Sequence, residues 1–130
     1  MRLESLPDGV TIIFDDEPSA HVEGVAKDVT VIFGANDRIH AITVRGPAWV
    51  GAVGASGKTW KAHAAVLRYD EEVDIALIET SGTKYKDSEE TAVPGLIVDY
   101  DQDDNVTAIE IMDASRRFST DALKQFRDAA

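Results

Sequence analysis

Pro94-Gly-Leu-Ile-Val-Asp-Tyr-Asp-Gln-Asp-Asp-Asn-Val-Thr-Ala-Ile-Glu-Ile-Met-Asp-Ala-Ser115 is the stretch that decides how the chain is read. Two apolar runs, Leu96 to Tyr100 and Val106 to Ile111, flank a polar tip of Asp, Gln and Asn. That is the pattern of an antiparallel β-hairpin closed by a short loop. If the loop closes symmetrically about Asp103-Asp104, Asp101 lies opposite Val106, Asp99 opposite Ala108 and Ile97 opposite Glu110. Alternation along the strands then gives a core face of Leu96, Val98, Tyr100, Thr107, Ile109 and Ile111. The other face collects Asp99, Asp101 and Glu110 within roughly 5–8 Å, the separation of direct and diagonal cross-strand neighbours. It is expected to meet water or a partner.

The same pattern occurs earlier. Val31-Ile-Phe-Gly-Ala-Asn-Asp-Arg-Ile-His-Ala-Ile-Thr-Val44 aligns without a gap on Val98 to Ile111, and upstream Ile13 to Val22 aligns on Arg68 to Leu77. We read this as an internal duplication of a unit made of one strand and one hairpin, too small to bury an apolar face alone. In this alignment Asp74, Asp99, Asp101 and Glu110 of the second unit correspond to Ser19, Ile32, Gly34 and Thr43 of the first. The first unit lacks the acids, and its outer hairpin face of Thr30, Ile32, Ile39 and Ala41 is apolar enough to be covered. It is expected to be the structural half.

Around these hairpins, Val10 to Phe14 reads as a strand, Asp15 to Pro18 as an acidic turn and Ala20 to Glu23 as a short strand. Val66 to Tyr69 and Val73 to Glu79 are strand-like, and Ser81 to Glu90 reads as a charged loop. Ser119 is placed to cap a helix over Thr120 to Ala129, with Phe118 stapling onto Leu123 and Asp121 in the first turn. Leu123 and Phe126 form its docking stripe. The expected fold is α+β, mainly β: two tandem strand-plus-antiparallel-hairpin units packed about a pseudo-two-fold, with a C-terminal helix. One domain spans 1–130, divided into a degenerate first repeat (9–47), a connector (48–65), the second unit (66–117) and the helix (118–130).

Composition bounds what such a chain does. Its 130 residues are 44% apolar, enough for a real core, and carry a net charge of −11. That charge argues against binding nucleic acid, which needs clustered Lys and Arg on one face. With no cysteine there is neither a disulfide framework nor a thiolate site. The N-terminus has no signal-peptide pattern and no run is long and apolar enough to span a membrane, so a cytoplasmic protein is expected.

Tyr69-Asp-Glu-Glu-Val-Asp-Ile-Ala-Leu-Ile78 together with Pro94 to Ser115 resembles the YuzE-like family, domain of unknown function DUF2283, over residues 67 to 117. Asn105 and Ala108 stand where that family's pattern has glycines. The resemblance implies a small sheet-based domain. It brings no established activity, cofactor or catalytic residue.

Three motifs compete with this plain reading. Asp99, Asp101, Asp103 and Glu110 fit positions one, three, five and twelve of a calcium loop. Position six, however, is Asp104 instead of the glycine that the turn requires, and the flanks alternate as strands do where an EF-hand has helices. Gly51 to Thr59 resembles a phosphate-binding loop but is one residue too long, so it is expected to bind no nucleotide. His21, His40 and His63 lack metal-ligand spacing and local nucleophile partners, and Trp49 and Trp60 are expected to fill the seam between units. The function expected is a non-enzymatic structural or protein-interaction module with no cofactor. Its working face would be Asp70, Asp74, Asp99, Asp101 and Glu110, and its partner a basic protein or a second copy of the chain. The alternative is a small divalent-metal-binding protein or hydrolase using the same acids.

Overall fold

The computed structural model describes residues 2–50, 65–80 and 85–129. The first half of the chain contributes β1 (Arg2–Leu6), β2 (Gly9–Ile13), β3 (Ser19–Ala26), β4 (Val29–Gly34), β5 (Ile39–Arg45) and a 3₁₀ turn, Pro47–Trp49. The second half contributes β6 (Ala65–Asp70), β7 (Ile75–Thr80), β8 (Asp87–Glu90), β9 (Leu96–Tyr100), β10 (Val106–Met112), α1 (Ala114–Arg117) and α2 (Thr120–Ala129). The strands form two five-stranded antiparallel sheets of like order, β1-β2-β5-β4-β3 and β6-β7-β10-β9-β8. The chain is mainly β with two tandem units and a C-terminal helix, as its sequence leads one to expect. Each unit is nevertheless larger than one strand and a hairpin. β1 carries no strong strand signal, and part of the expected charged loop, Asp87–Glu90, is an exposed strand paired with β9.

The two hairpins repeat residue for residue. Val31 faces Ile42 and Ile32 faces Ala41 in the first; Val98 faces Ile109 and Asp99 faces Ala108 in the second. Both ladders skip one residue, His40 and Thr107, a β-bulge at the same place. The bulge corrects the symmetric closure read from the sequence, because Val106 faces Tyr100 and Asp101 falls outside the ladder. It also turns Ile39 and Val106 inward, and both are fully buried. Ile39 therefore belongs to the core and not to the outer face. The upstream alignment is corrected too: Ile13 faces Ala41 and Glu79 faces Ala108, which makes β2 the counterpart of β7.

Backbone turns repeat as well. Positive-φ residues occur at Asp28 and Gly95, Asp37 and Asp104, and Gly46 and Asp113, each pair 67 residues apart, Gly46 (φ 140°, ψ 156°) being more extended than Asp113 (φ 53°, ψ 42°). Asp and Gly are the residue types that enter this conformation at least cost. At the hairpin tips Gly34 N–H donates to the Arg38 carbonyl at 2.9 Å and Asp101 N–H to the Asn105 carbonyl at 2.9 Å.

Buried side chains of both sheets join one apolar cluster, so each sheet covers the other's apolar face. Tyr100 from β9 reaches across, its hydroxyl donating to the Lys27 carbonyl of the first unit at 3.4 Å. Burial, with Glu89 adding to it, pushes that phenol up to about 12, which keeps it a donor. The helix completes the closure. Ser119 Oγ accepts from the Ala122 N–H at 3.1 Å, the expected cap, and buried Phe118, Leu123 and Phe126 face inward. Phe14, just past β2, packs on Phe118 and Phe126 at centroid distances of 4.9 and 5.4 Å. The helix α2 itself lies along β6.

Trp49 fills the seam as expected, fully buried, with its indole N–H donating to the Val106 carbonyl at 2.8 Å beside the bulge. Trp60, His63 and the whole of Gly51 to Thr59 lie outside the described residues. Trp49→Ala should cost about 3–5 kcal/mol of stability, as large buried aromatics do. Trp49→Phe keeps most of the packing and should cost about 1–3 kcal/mol through the unpaired carbonyl. Urea denaturation of the two variants checks both values and their order.

Candidate functional site

The outer face of the second sheet is built by alternation. Across it runs one row, Glu79 on β7, Ala108 on β10, Asp99 on β9 and Ser88 on β8, and beside it a second, Arg68, Leu77, Glu110, Ile97 and Glu90. Asp99 and Glu110 are therefore diagonal neighbours on adjacent strands. Ala108, opposite Asp99, has a short side chain and leaves room between them. Arg68 neutralises Glu79 at 3.2 Å, so the central charge belongs to Asp99 and Glu110.

These two form a carboxyl pair. Asp99 is 9% exposed and accepts a hydrogen bond from Ser88 Oγ at 2.6 Å. Burial pushes the Glu110 carboxyl above its ordinary value, and the charge of Asp99 and a hydrogen bond to it push further in the same direction. Ionising Glu110 sets its charge beside that of Asp99 in a partly buried place, so Glu110 holds its proton more tightly than an isolated glutamate does. Around it lie the half-buried apolar side chains of Leu77 and Ile97.

The other three acids expected on this face are engaged elsewhere, Asp70 and Asp101 in local turns and Asp74 at the start of α1. Asp101 Oδ1 accepts from the N–H groups of Asp103 at 2.8 Å and Asn105 at 3.0 Å, which shapes the hairpin tip. Asp70 Oδ1 accepts from the Glu72 N–H at 3.0 Å in the β6–β7 loop. Asp74, left-handed with φ 55°, takes the Tyr69 hydroxyl at 2.6 Å and both the N–H and the Oγ of Ser115, at 2.9 and 2.5 Å. It caps the first turn of α1 from a distant loop, supplying an acceptor that the terminal N–H groups of the helix otherwise lack. The hydrogen bonds from Ser115 and Tyr69 hold the Asp74 carboxyl below its ordinary value.

One contact was not legible in the sequence. His40 Nδ1 lies 2.7 Å from Asp15 Oδ1, tying the bulge of β5 to the turn after β2. The residues are far apart in sequence, and only the five-stranded order brings them together. Among the described residues no group of three or more His, Asp or Glu converges in a way that could hold a metal ion. The hairpin keeps Glu110 on its strand, away from Asp101 and Asp103, so the calcium-loop pattern does not assemble.

Fold and face together define a small mainly β domain of two like sheets with a carboxyl pair on one of them. Residues 67–115 match the model of a family described as a protein of unknown function (DUF2283), the family read from the second half of the sequence. No curated protein and no solved structure matches the chain. No helix among the described residues is long and apolar enough to cross a membrane.

The two perturbed carboxyls act at separate pH. Glu110 is raised, so the folded state binds its proton more tightly, and its contribution to stability grows as pH falls from above the folded value towards 4.5, the unfolded one. Asp74 is lowered, so its contribution is complete above 3.8 and is lost as pH falls below that. Thermal melts from pH 7 down to pH 3 should show Glu110→Gln removing a stability gain on the upper side of this range. Asp74→Asn should instead remove a stability loss on the lower side.

Proposed function

We propose that the protein is a non-enzymatic, cytoplasmic interaction module whose working face is the outer surface of the second sheet, centred on Asp99 and Glu110. One observation carries the reading: a carboxyl pair sits half-buried among Leu77 and Ile97, whereas the register-matched positions on the first sheet are Ile32 and Thr43. Acids placed only for solubility would not sit where the charge of one opposes ionisation of the other, as Asp99 does for Glu110. An Arg or Lys from a basic partner would make charge-assisted hydrogen bonds to both carboxylates and offset their mutual repulsion. The apolar flank supplies the contact area around that anchor. Asp70, Asp74 and Asp101 contribute to this face indirectly, by fixing the loops and the tip that frame it. The repeat of positive-φ positions 67 residues apart supports reading the chain as an internal duplication in which only the second copy carries the pair.

The double variant Asp99→Asn, Glu110→Gln should fold normally and gain up to about 1 kcal/mol, since like charges on adjacent strands are relieved. It should lose a salt-sensitive complex that the unaltered protein forms with an Arg-rich or Lys-rich binding partner, measured by calorimetry at low and high salt. Unfolding of the double variant would make the acids structural and end this reading, as would unchanged binding.

A further inference from the structure

Among the described residues four strands lie at sheet edges, and three of them are protected against pairing with another chain. β8 is four residues long and carries Asp87, Glu89 and Glu90. β1 carries Arg2 and Glu4, ion-paired at 3.6 Å, and β6 is flanked by α2. Charge, shortness, β-bulges and a covering helix are the usual means of protecting an edge.

β3 differs. It is eight residues long, Ser19 to Gly24 are exposed in an unbroken run, and its charge is confined to Glu23, whose carboxylate lies 3.7 Å from the imidazole of His21 on the same strand. Irregularities in the pairing with β4 fall at either end, between Ser19 and His21 and between Gly24 and Ala26, leaving His21 to Gly24 in regular register. Among the described residues nothing pairs with the outer side of this strand. Val22, at the centre, is 61% exposed. A side chain at Gly24 would meet nothing within 4 Å, and Gly24 has no left-handed backbone. Gly24 adjoins the irregularity before Ala26, a usual place for a strand glycine, and it leaves that part of the edge free of side-chain bulk.

We propose that β3 is the edge through which two copies of the chain pair, antiparallel about a two-fold axis at Val22. The sequence of the strand is self-complementary about that point. Val22 meets Val22 of the second copy and His21 meets Glu23 on either side of it. An apolar pair flanked by two imidazole–carboxylate pairs results. His21 is already held in place by stacking on Phe33 at a centroid distance of 4.7 Å. The dimer joins the two first-unit sheets into one continuous ten-stranded sheet, the isologous arrangement expected of a symmetric pair. It lies on the opposite unit from the carboxyl face and does not depend on it. Because each copy carries a charge of −11, added salt should favour the dimer by screening, the reverse of its effect on a basic partner.

Sedimentation equilibrium from micromolar to millimolar protein tests this. A dimer is expected for the unaltered chain. Val22→Lys sets two like charges on the axis and should raise the dissociation constant at least tenfold, with the circular dichroism of the folded monomer unchanged. His21→Glu should weaken the dimer in the same way, and adding Glu23→Lys to it should restore pairing. In this cysteine-free chain Val22→Cys should cross-link to itself on oxidation, and Ser19→Cys should not. A monomer at every concentration overturns the proposal, as does a dimer indifferent to both Val22→Lys and His21→Glu, or equal cross-linking of the two cysteine variants.

Discussion

A five-stranded antiparallel sheet with one apolar face is unstable in water until that face is covered, and in this chain the two sheets cover each other. Val31, Ile42 and Val44 on one side and Val98, Ile109 and Ile111 on the other belong to a single buried cluster. Everything else in the structure follows from keeping that contact in register. A slip of one residue in either hairpin would turn every apolar side chain outward. The two bulges, at His40 and Thr107, and the positive-φ turns that bracket each hairpin fix the register. Trp49 and Phe14 then lock the units together, one through the Val106 carbonyl and the other through the ring cluster with Phe118 and Phe126.

Aspartate has two distinct uses in this arrangement. At Asp28, Asp37, Asp74, Asp104 and Asp113 it occupies left-handed backbone positions that most residues avoid. Asp101 and Asp74 in addition turn their carboxylates onto backbone N–H groups. Much of the acidity of the sequence is thus turn chemistry. What remains at the centre of the second sheet's outer face is the pair Asp99 and Glu110, with Glu79 held by Arg68 to one side and Glu90 on the edge strand to the other.

The hairpins were legible because alternation over five or more residues leaves few alternatives, and the capped helix was legible because Ser119, Phe118 and Leu123 fall at fixed spacing. The bulges were not, since an extra residue in a strand leaves no local signature; it exchanged the roles expected for Asp101 and Ile39. β8 was missed because Asp87-Ser-Glu-Glu90 has the composition of a loop and becomes a strand only when β9 offers it hydrogen bonds. The acidic face was half legible. The sequence supplied Asp99 and Glu110, but the engagement of Asp70 and Asp101 in turns and of Asp74 at the start of α1 depends on loop geometry that composition does not encode. Ser88 and the His40–Asp15 contact depend on tertiary neighbours in the same way.

The family model spans only 67–115, yet the sheet it contributes to hides its apolar face against residues supplied by the first half of the same polypeptide. Covalent attachment makes that meeting intramolecular, at an effective concentration on the millimolar scale whatever the dilution of the protein. It also breaks a constraint that symmetry would impose. In an assembly of two identical sheets every substitution appears twice, so a carboxyl pair gained on one face is gained on both. Here Ile32 and Thr43 can serve packing while Asp99 and Glu110 do not, and each molecule presents one such face, a valency of one.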